Sequence, residues 1–207
     1  MSRFLRLPGW MLLAVIGSTL LASCASTSLV SSDRNPDYSG PALKRVMVVG
    51  TTADPRARKA FEDEFVAKLT AAGVSAVPSY PLLPESGTTD AEELRKAAER
   101  AGVDGVLAAR LVRVEESEAA QQAQAFNFVD RSAGFYGYYS AATGPFDPTG
   151  VGQSDTLTIH FDLYSVAAAR LAWSGKAATF PSTDVRQVAA GLAYTLIPAL
   201  KNERLIG

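Results

Sequence analysis

The spacing of apolar positions changes period several times along this chain, and the changes mark out its elements. Lys44 to Gly50 (KRVMVVG) is a short β-branched run that predicts a first strand. After the polar turn TTAD, Pro55 suits the first position of a helix and Asp54 suits its cap. Ala57, Phe61, Phe65, Leu69 and Ala72 then recur at helical spacing up to Gly73, with Glu64 and Lys68 paired on the polar side. Val74 to Tyr80 predicts a second strand, placed at a sheet edge by Pro78. Thr89 and Glu92 form a capping box for a helix that runs to Ala101 and stops at Gly102. Val103 to Glu115 is apolar enough for a central strand buried on both faces, with Arg110 and Arg113 alternating in its far half.

Alternation is clearest later. Leu157, Ile159, Phe161 and Leu163 alternate with Thr156, Thr158, His160, Asp162 and Tyr164, which predicts a half-buried antiparallel strand with the polar set facing solvent. A turn at 166–170 leads to Leu171, Trp173, Gly175 and Ala177 in the same rhythm, so the two runs form a hairpin. Pro181, Ser182 and Thr183 open a last helix with a buried stripe of Val185, Val188, Ala189, Leu192, Leu196 and Ala199, kinked or shortened by Pro198. The order β-α-β-α-β, insertion, β-β-α predicts a single α/β layered domain over 44–207, a mixed sheet with helices packed on it.

The amino-terminal segment follows other rules. Arg3 and Arg6 precede an apolar run from Trp10 to Leu21 that is short and interrupted by Gly17, Ser18 and Thr19. Leu21-Ala22-Ser23-Cys24 then resembles the bacterial lipobox. That resemblance implies cleavage between Ser23 and Cys24, removal of residues 1–23 and acylation of Cys24, palmitate being a typical chain. Two or three acyl chains hold a protein stably where one does not. Ala25 and Ser26 follow, with no aspartate at the second position, which points to the periplasmic face of the outer membrane. Residues 24–43, rich in Ser, Pro, Gly and Asp, read as a lipidated tether of roughly 20 residues.

Cys24 is the chain's single cysteine, so acylation leaves no thiol for a disulfide. Taking Arg3 and Arg6 from the 20 basic residues leaves 18 against 21 acidic ones, a net charge of −3. No basic face follows from this balance, and nucleic acid is not an expected partner.

The insertion at about 116–153 changes character, from Ala and Gln to Tyr, Gly and Pro. Phe135, Tyr136, Tyr138, Tyr139 and Phe146 show no stripe that a core could use. They read either as an interaction loop or as aromatics folded back on the domain. Catalytic signals are sparse. His160 is the sole histidine, so a His-rich zinc site is excluded and no metal or cofactor is expected. A Ser-His-Asp triad would need His160, and no GxSxG elbow is present. Asp54, Glu62, Asp63 and Glu64 offer carboxylates for glycoside hydrolysis, but acids near a helix start more often serve its dipole or face solvent. Arg56 and Arg58 suit an anion or, more simply, the helix surface; Gly50 with TTADPRAR is no phosphate loop.

Taken together, KRVMVVG, RKAFEDEF (58–65), AAGVSAVPSY (71–80), GVDGVLAARLVRV (102–114), YGYYS (136–140) and LYSV with LAWSG (163–175) resemble small Gram-negative outer-membrane lipoproteins. A broader likeness is to the α/β domains of CsgG-type secretion lipoproteins and the amino-terminal domain of TolB, where a comparable strand starts at the position of Gly102-Val103-Asp104. These resemblances imply a fold and carry no catalytic residue. The expected function is a non-enzymatic, membrane-anchored periplasmic lipoprotein that binds an envelope protein partner or assists assembly. The alternatives are a hydrolase of peptidoglycan or another envelope polymer, pairing acids such as Asp54 and Asp162, and a self-assembling component of a secretion or envelope complex.

Overall fold

The computed structural model describes residues 27–52, 54–83, 91–112 and 156–207. Within them the chain forms β1 (Ser28–Arg34), β2 (Arg45–Thr51), α1 (Pro55–Ala71), β3 (Ser75–Pro78), α2 (Ala91–Ala101), β4 (Gly105–Val112), β5 (Leu157–Ser165), β6 (Arg170–Thr179) and α3 (Val185–Asn202). The strands make one mixed sheet in the order β1-β6-β5-β4-β2-β3. β2 runs parallel to both β3 and β4, and β5 is antiparallel to β4 and β6. The α/β layered fold read from the sequence is the fold observed.

The faces follow from the connections. The β2-α1-β3 unit steps outward, and the β3-α2-β4 unit steps back across β2. With right-handed crossovers such a reversal puts the two helices on opposite faces. Accordingly Phe65 and Leu69 of α1 pack with Val46, Val48, Leu107, Ala109, Phe161 and Leu163 on one face, joined by Leu192, Leu196 and Leu200 of α3. Leu94, Ala97 and Ala98 of α2 pack with Met47, Val49, Val106, Ala108 and Tyr164 on the other. The Phe65 and Phe161 rings are tilted by 37° with centroids 5.7 Å apart, within the range over which aromatic pairs attract.

Local signals set the boundaries. Asp54 caps α1 by accepting the Arg56 N–H at 2.9 Å, with Pro55 at the helix start. Gly73 and Gly102 take positive φ after α1 and α2, as read from the sequence. Asp104 accepts the backbone N–H groups of Lys44 and Arg45, both at 2.9 Å, and so ties the start of β2 to the start of β4. β3 lies at the edge, where Pro78 belongs. The capping threonine expected at 89 lies outside the described residues.

Three expectations need correction. The segment read as a tether belongs in part to the domain: Ser28–Arg34 pairs antiparallel with β6, and Tyr38 and Leu43 are buried in the core. Its alternation is invisible because most of its side chains are exposed, and backbone pairing rather than side-chain burial makes it a strand. Pro198 does not shorten α3, which continues to Asn202. Pro198 and Tyr194, the residue whose carbonyl loses its helical donor to the proline, are both exposed. The stripe of α3 also turns, with Ala193, Ile197 and Leu200 buried while Val185 and Ala199 are only partly so.

Trp173 anchors the β1 side. It is fully buried, and its indole N–H reaches Ser32 Oγ at 2.9 Å, which in turn donates to Glu203 Oε1 at 2.6 Å beyond α3. The ring occupies the space above Gly175: a Cβ there would stand 2.1 Å from Trp173 Cη2 and 2.9 Å from the Ser31 carbonyl oxygen. Gly175→Ala should therefore destabilise the fold by about 1–3 kcal/mol through overpacking, read as a lower urea midpoint at unchanged slope. A midpoint equal to wild type would show that the ring can move aside.

Candidate functional site

In open α/β sheets, ligands bind beyond the carboxyl ends of parallel strands where successive connections leave in opposite directions. Here that position is the end of β2 and β4, where Thr51 is in register with Arg110. The row continues through His160 on β5 to Lys176 on β6. One step along, Ala108 is opposite Asp162 and Asp162 opposite Ser174. Directly opposed residues on one face have Cβ atoms about 4.5–5.5 Å apart, so Arg110, His160 and Lys176 form one polar row with Asp162 beside it. All lie on the face that α2 covers further along, at Met47, Val106 and Tyr164.

His160 and Asp162 are buried, 7% and 2% exposed, while Lys176 is exposed and Arg110 intermediate. This corrects the expectation that the polar side of β5 is solvated. The alternation itself is present, but the second face of a central strand is also inside. Burial lowers the His160 pKa to about 3, helped by the positive charges of Lys176 and then Arg110. The imidazole is thus neutral at physiological pH. A base of that strength is far from the range in which general bases work well, whereas the two cations beside it suit holding an anionic or polar group.

The acids near α1 are arranged differently. Glu62, expected on a solvated face, is wholly buried and accepts five hydrogen bonds. Its Oε1 receives Gly50 N–H at 3.0 Å, Arg58 Nε at 3.0 Å and Ser79 Oγ at 2.8 Å; its Oε2 receives the N–H groups of Ser79 at 2.7 Å and Tyr80 at 2.9 Å. Arg58, also buried, further donates to Ser79 Oγ at 2.8 Å. Glu62 and Arg58 therefore fasten α1 to the ends of β2 and β3 and are not surface charge. The signal for this was present as an i,i+4 pair on the side of α1 next to Phe65, but nothing local marks it as buried. Asp63 and Glu64 remain in peripheral i,i+4 pairs with Lys59 and Lys68, and Arg56 is exposed.

Asp54 and Asp162, the acids that a hydrolase would pair, differ in setting: Asp54 is exposed and engaged as a helix cap, and Asp162 is buried in the sheet. Among the described residues no group of His, Cys, Asp and Glu is close enough to hold a metal ion, and no helix is long and apolar enough to cross a membrane. Ser23, Cys24, Phe135, Tyr136, Tyr138, Tyr139 and Phe146 lie outside the described residues.

No family model matches the chain, and no curated protein matches it. Among solved structures it is similar to a point variant of the PelC dodecamer from Paraburkholderia phytofirmans, at 16% identity and TM-score 0.45 over 81% of this chain and 96% of that one. A second PelC dodecamer from that organism gives 12% identity and TM-score 0.44 over 87% and 99%. Lipoprotein GNA1162 from Neisseria meningitidis gives 17% identity and TM-score 0.38 over 77% and 95%. Overlaps this loose carry no statement of function.

Two measurements separate the structural from the titratable part of this region. Glu62→Gln should cost about 3–5 kcal/mol in urea unfolding, since it leaves Arg58 buried without its anion and turns an amide against backbone donors. Asp63→Asn, removing a peripheral pair, should leave the urea midpoint close to wild type. For His160 the unfolded chain takes a proton near pH 6.5 but the folded one only near pH 3, so unfolding binds protons in that window. Stability should be full above pH 6.5 and decline as the pH falls toward 3. His160→Gln should flatten that decline, and an undiminished slope in the variant would assign it to other groups.

Proposed function

We propose that this protein is a lipid-anchored, non-enzymatic component of the cell envelope that holds its α/β domain at the periplasmic face of the outer membrane for an envelope partner. The observation that carries this reading is the tetrad Leu21-Ala22-Ser23-Cys24, which closes an apolar run behind Arg3 and Arg6 and contains the chain's single cysteine. β1 begins at Ser28, so lipid on Cys24 would be joined to the folded domain by only a few residues.

The non-enzymatic part of the reading rests on how the candidate acids and base are employed. Glu62 is occupied by five donors, Asp54 and Asp184 cap helices, Asp104 holds the start of β2, and His160 is a weak base. Recognition is assigned to the Arg110–His160–Lys176 row, at the crossover reversal, and to the aromatic set Phe135, Tyr136, Tyr138, Tyr139 and Phe146. Tyrosine-rich segments suit protein contacts. Self-association through the sheet edge is less well supported. β1 carries Asp33 and Arg34 and an irregular register between Leu29 and Ser31, devices that discourage further strand pairing.

Cys24→Ser should abolish incorporation of labelled palmitate and move the chain from the membrane fraction to the soluble one. Retention of both label and membrane association in the variant would refute the anchor. Photocrosslinkers placed across 126–146 in cells should capture an envelope protein, and capture confined to positions outside that segment would remove the loop from the proposal.

A further inference from the structure

Among the described residues the large apolar side chains left exposed are Val30, Phe180 and Tyr194, at 61%, 53% and 83%. Single exposed apolar residues are ordinary. These three, however, all belong to chain segments that adjoin Thr27, the first described residue after the proposed acylation site. Thr27 Oγ1 is 2.9 Å from Thr179 Oγ1, and Phe180 is the next residue along. Thr195 Oγ1 donates to the Thr27 carbonyl at 3.4 Å, and Tyr194 precedes Thr195. Thr27 Oγ1 also lies 2.8 Å from where a Cβ on Gly191 would stand, one helical turn before Tyr194. Val30 is three residues further along β1.

Three residue steps separate Cys24 from Thr27, a reach of roughly 10 Å when fully extended. A lipid chain on Cys24 enters the bilayer at its own attachment point. Thr27 is thereby confined to within that reach of the headgroup region, into which apolar residues of surface-bound proteins insert by roughly 5–10 Å. Tyrosine, with an apolar ring and a polar tip, is enriched at that depth, and phenylalanine and valine add buried apolar area.

We propose that Val30, Phe180 and Tyr194 form a bilayer-contacting surface, so that the domain rests on the membrane with the Thr27–Thr179 end of its sheet and the outer side of α3 facing the lipid. This deepens the lipid-anchor reading and rests on it. The domain is then held in one orientation, with the β3 edge at the far side of the sheet from the strand that leaves the membrane.

The test uses the full lipidated protein in phosphatidylcholine–phosphatidylglycerol vesicles, with Phe180→Trp, Tyr194→Trp and, as the distant control, Ser75→Trp at the exposed first residue of β3. Trp173 is buried and common to all three. With brominated lipid in the vesicles, the tryptophans at 180 and 194 should be quenched at least about two-fold more than the one at 75. Equal quenching in vesicle-bound protein that carries acyl chains by mass would overturn the orientation and leave the anchor standing. Absence of acyl mass on Cys24 would overturn both. Weak quenching at 194 accompanied by a crosslinked dimer would assign the surface to a second copy and overturn the membrane contact.

Discussion

One carboxylate determines how the parallel part of this fold closes. Glu62 is removed from water, a state that costs several kcal/mol for an isolated ion, and is stabilised there by five donors on three elements. Two of the donors are backbone groups just beyond β3 and one is Gly50 within β2. The helix that crosses between those strands is therefore held at their carboxyl ends by charge-assisted hydrogen bonds as well as by Phe65 and Leu69. At the carboxyl end of β2, Gly50 is held by this attachment, and Thr51, next along at the head of the polar row, is held by its ladder to β4 and its hydrogen bond to the Ala109 carbonyl.

The sheet then divides its labour by face. One face is packed by α1 and α3 around Phe161 and Leu163. The other is apolar only where α2 lies, and changes at Arg110, His160 and Asp162 to polar side chains. A buried polar stretch on a central strand brings no packing benefit over leucine or valine and narrows the tolerated sequences. It lies at the reversal of the crossovers, where α/β sheets place recognition, and this makes the row, rather than the helix acids, the candidate site.

What could be read from residues alone was what local chemistry determines. Asp54 and Pro55 start a helix, Gly73 and Gly102 stop two, and the hairpin of β5 and β6 follows from alternation on both sides of a short turn. The failures share a cause: each depends on contacts distant in sequence. Ser28–Arg34 has almost no buried side chains, so only its ladder to β6 makes it a strand. Arg58 and Glu62 have the spacing of a solvent-facing ion pair and are buried because the ends of β2 and β3 pass over them. His160 and Asp162 sit on the polar phase of an amphipathic pattern, yet that phase is buried, on the same face of the sheet as the α2 core. Alternation tells which residues share a face, but not whether that face is wet.

The placement of β1 also has a mechanical side. Tension applied to the chain before Thr27 enters the domain through a seven-residue strand on the outside of the sheet, held by its ladder to β6 and by the linkage from Ser32 to Trp173 and Glu203. A pull along the strand loads the ladder's hydrogen bonds together, in shear. A pull directed away from the sheet loads them one at a time, beginning at Ser28 and Ala178. The same attachment is therefore stiff in one direction and yielding in another, and the strand can peel from the edge while the Glu62-centred half of the fold bears no load.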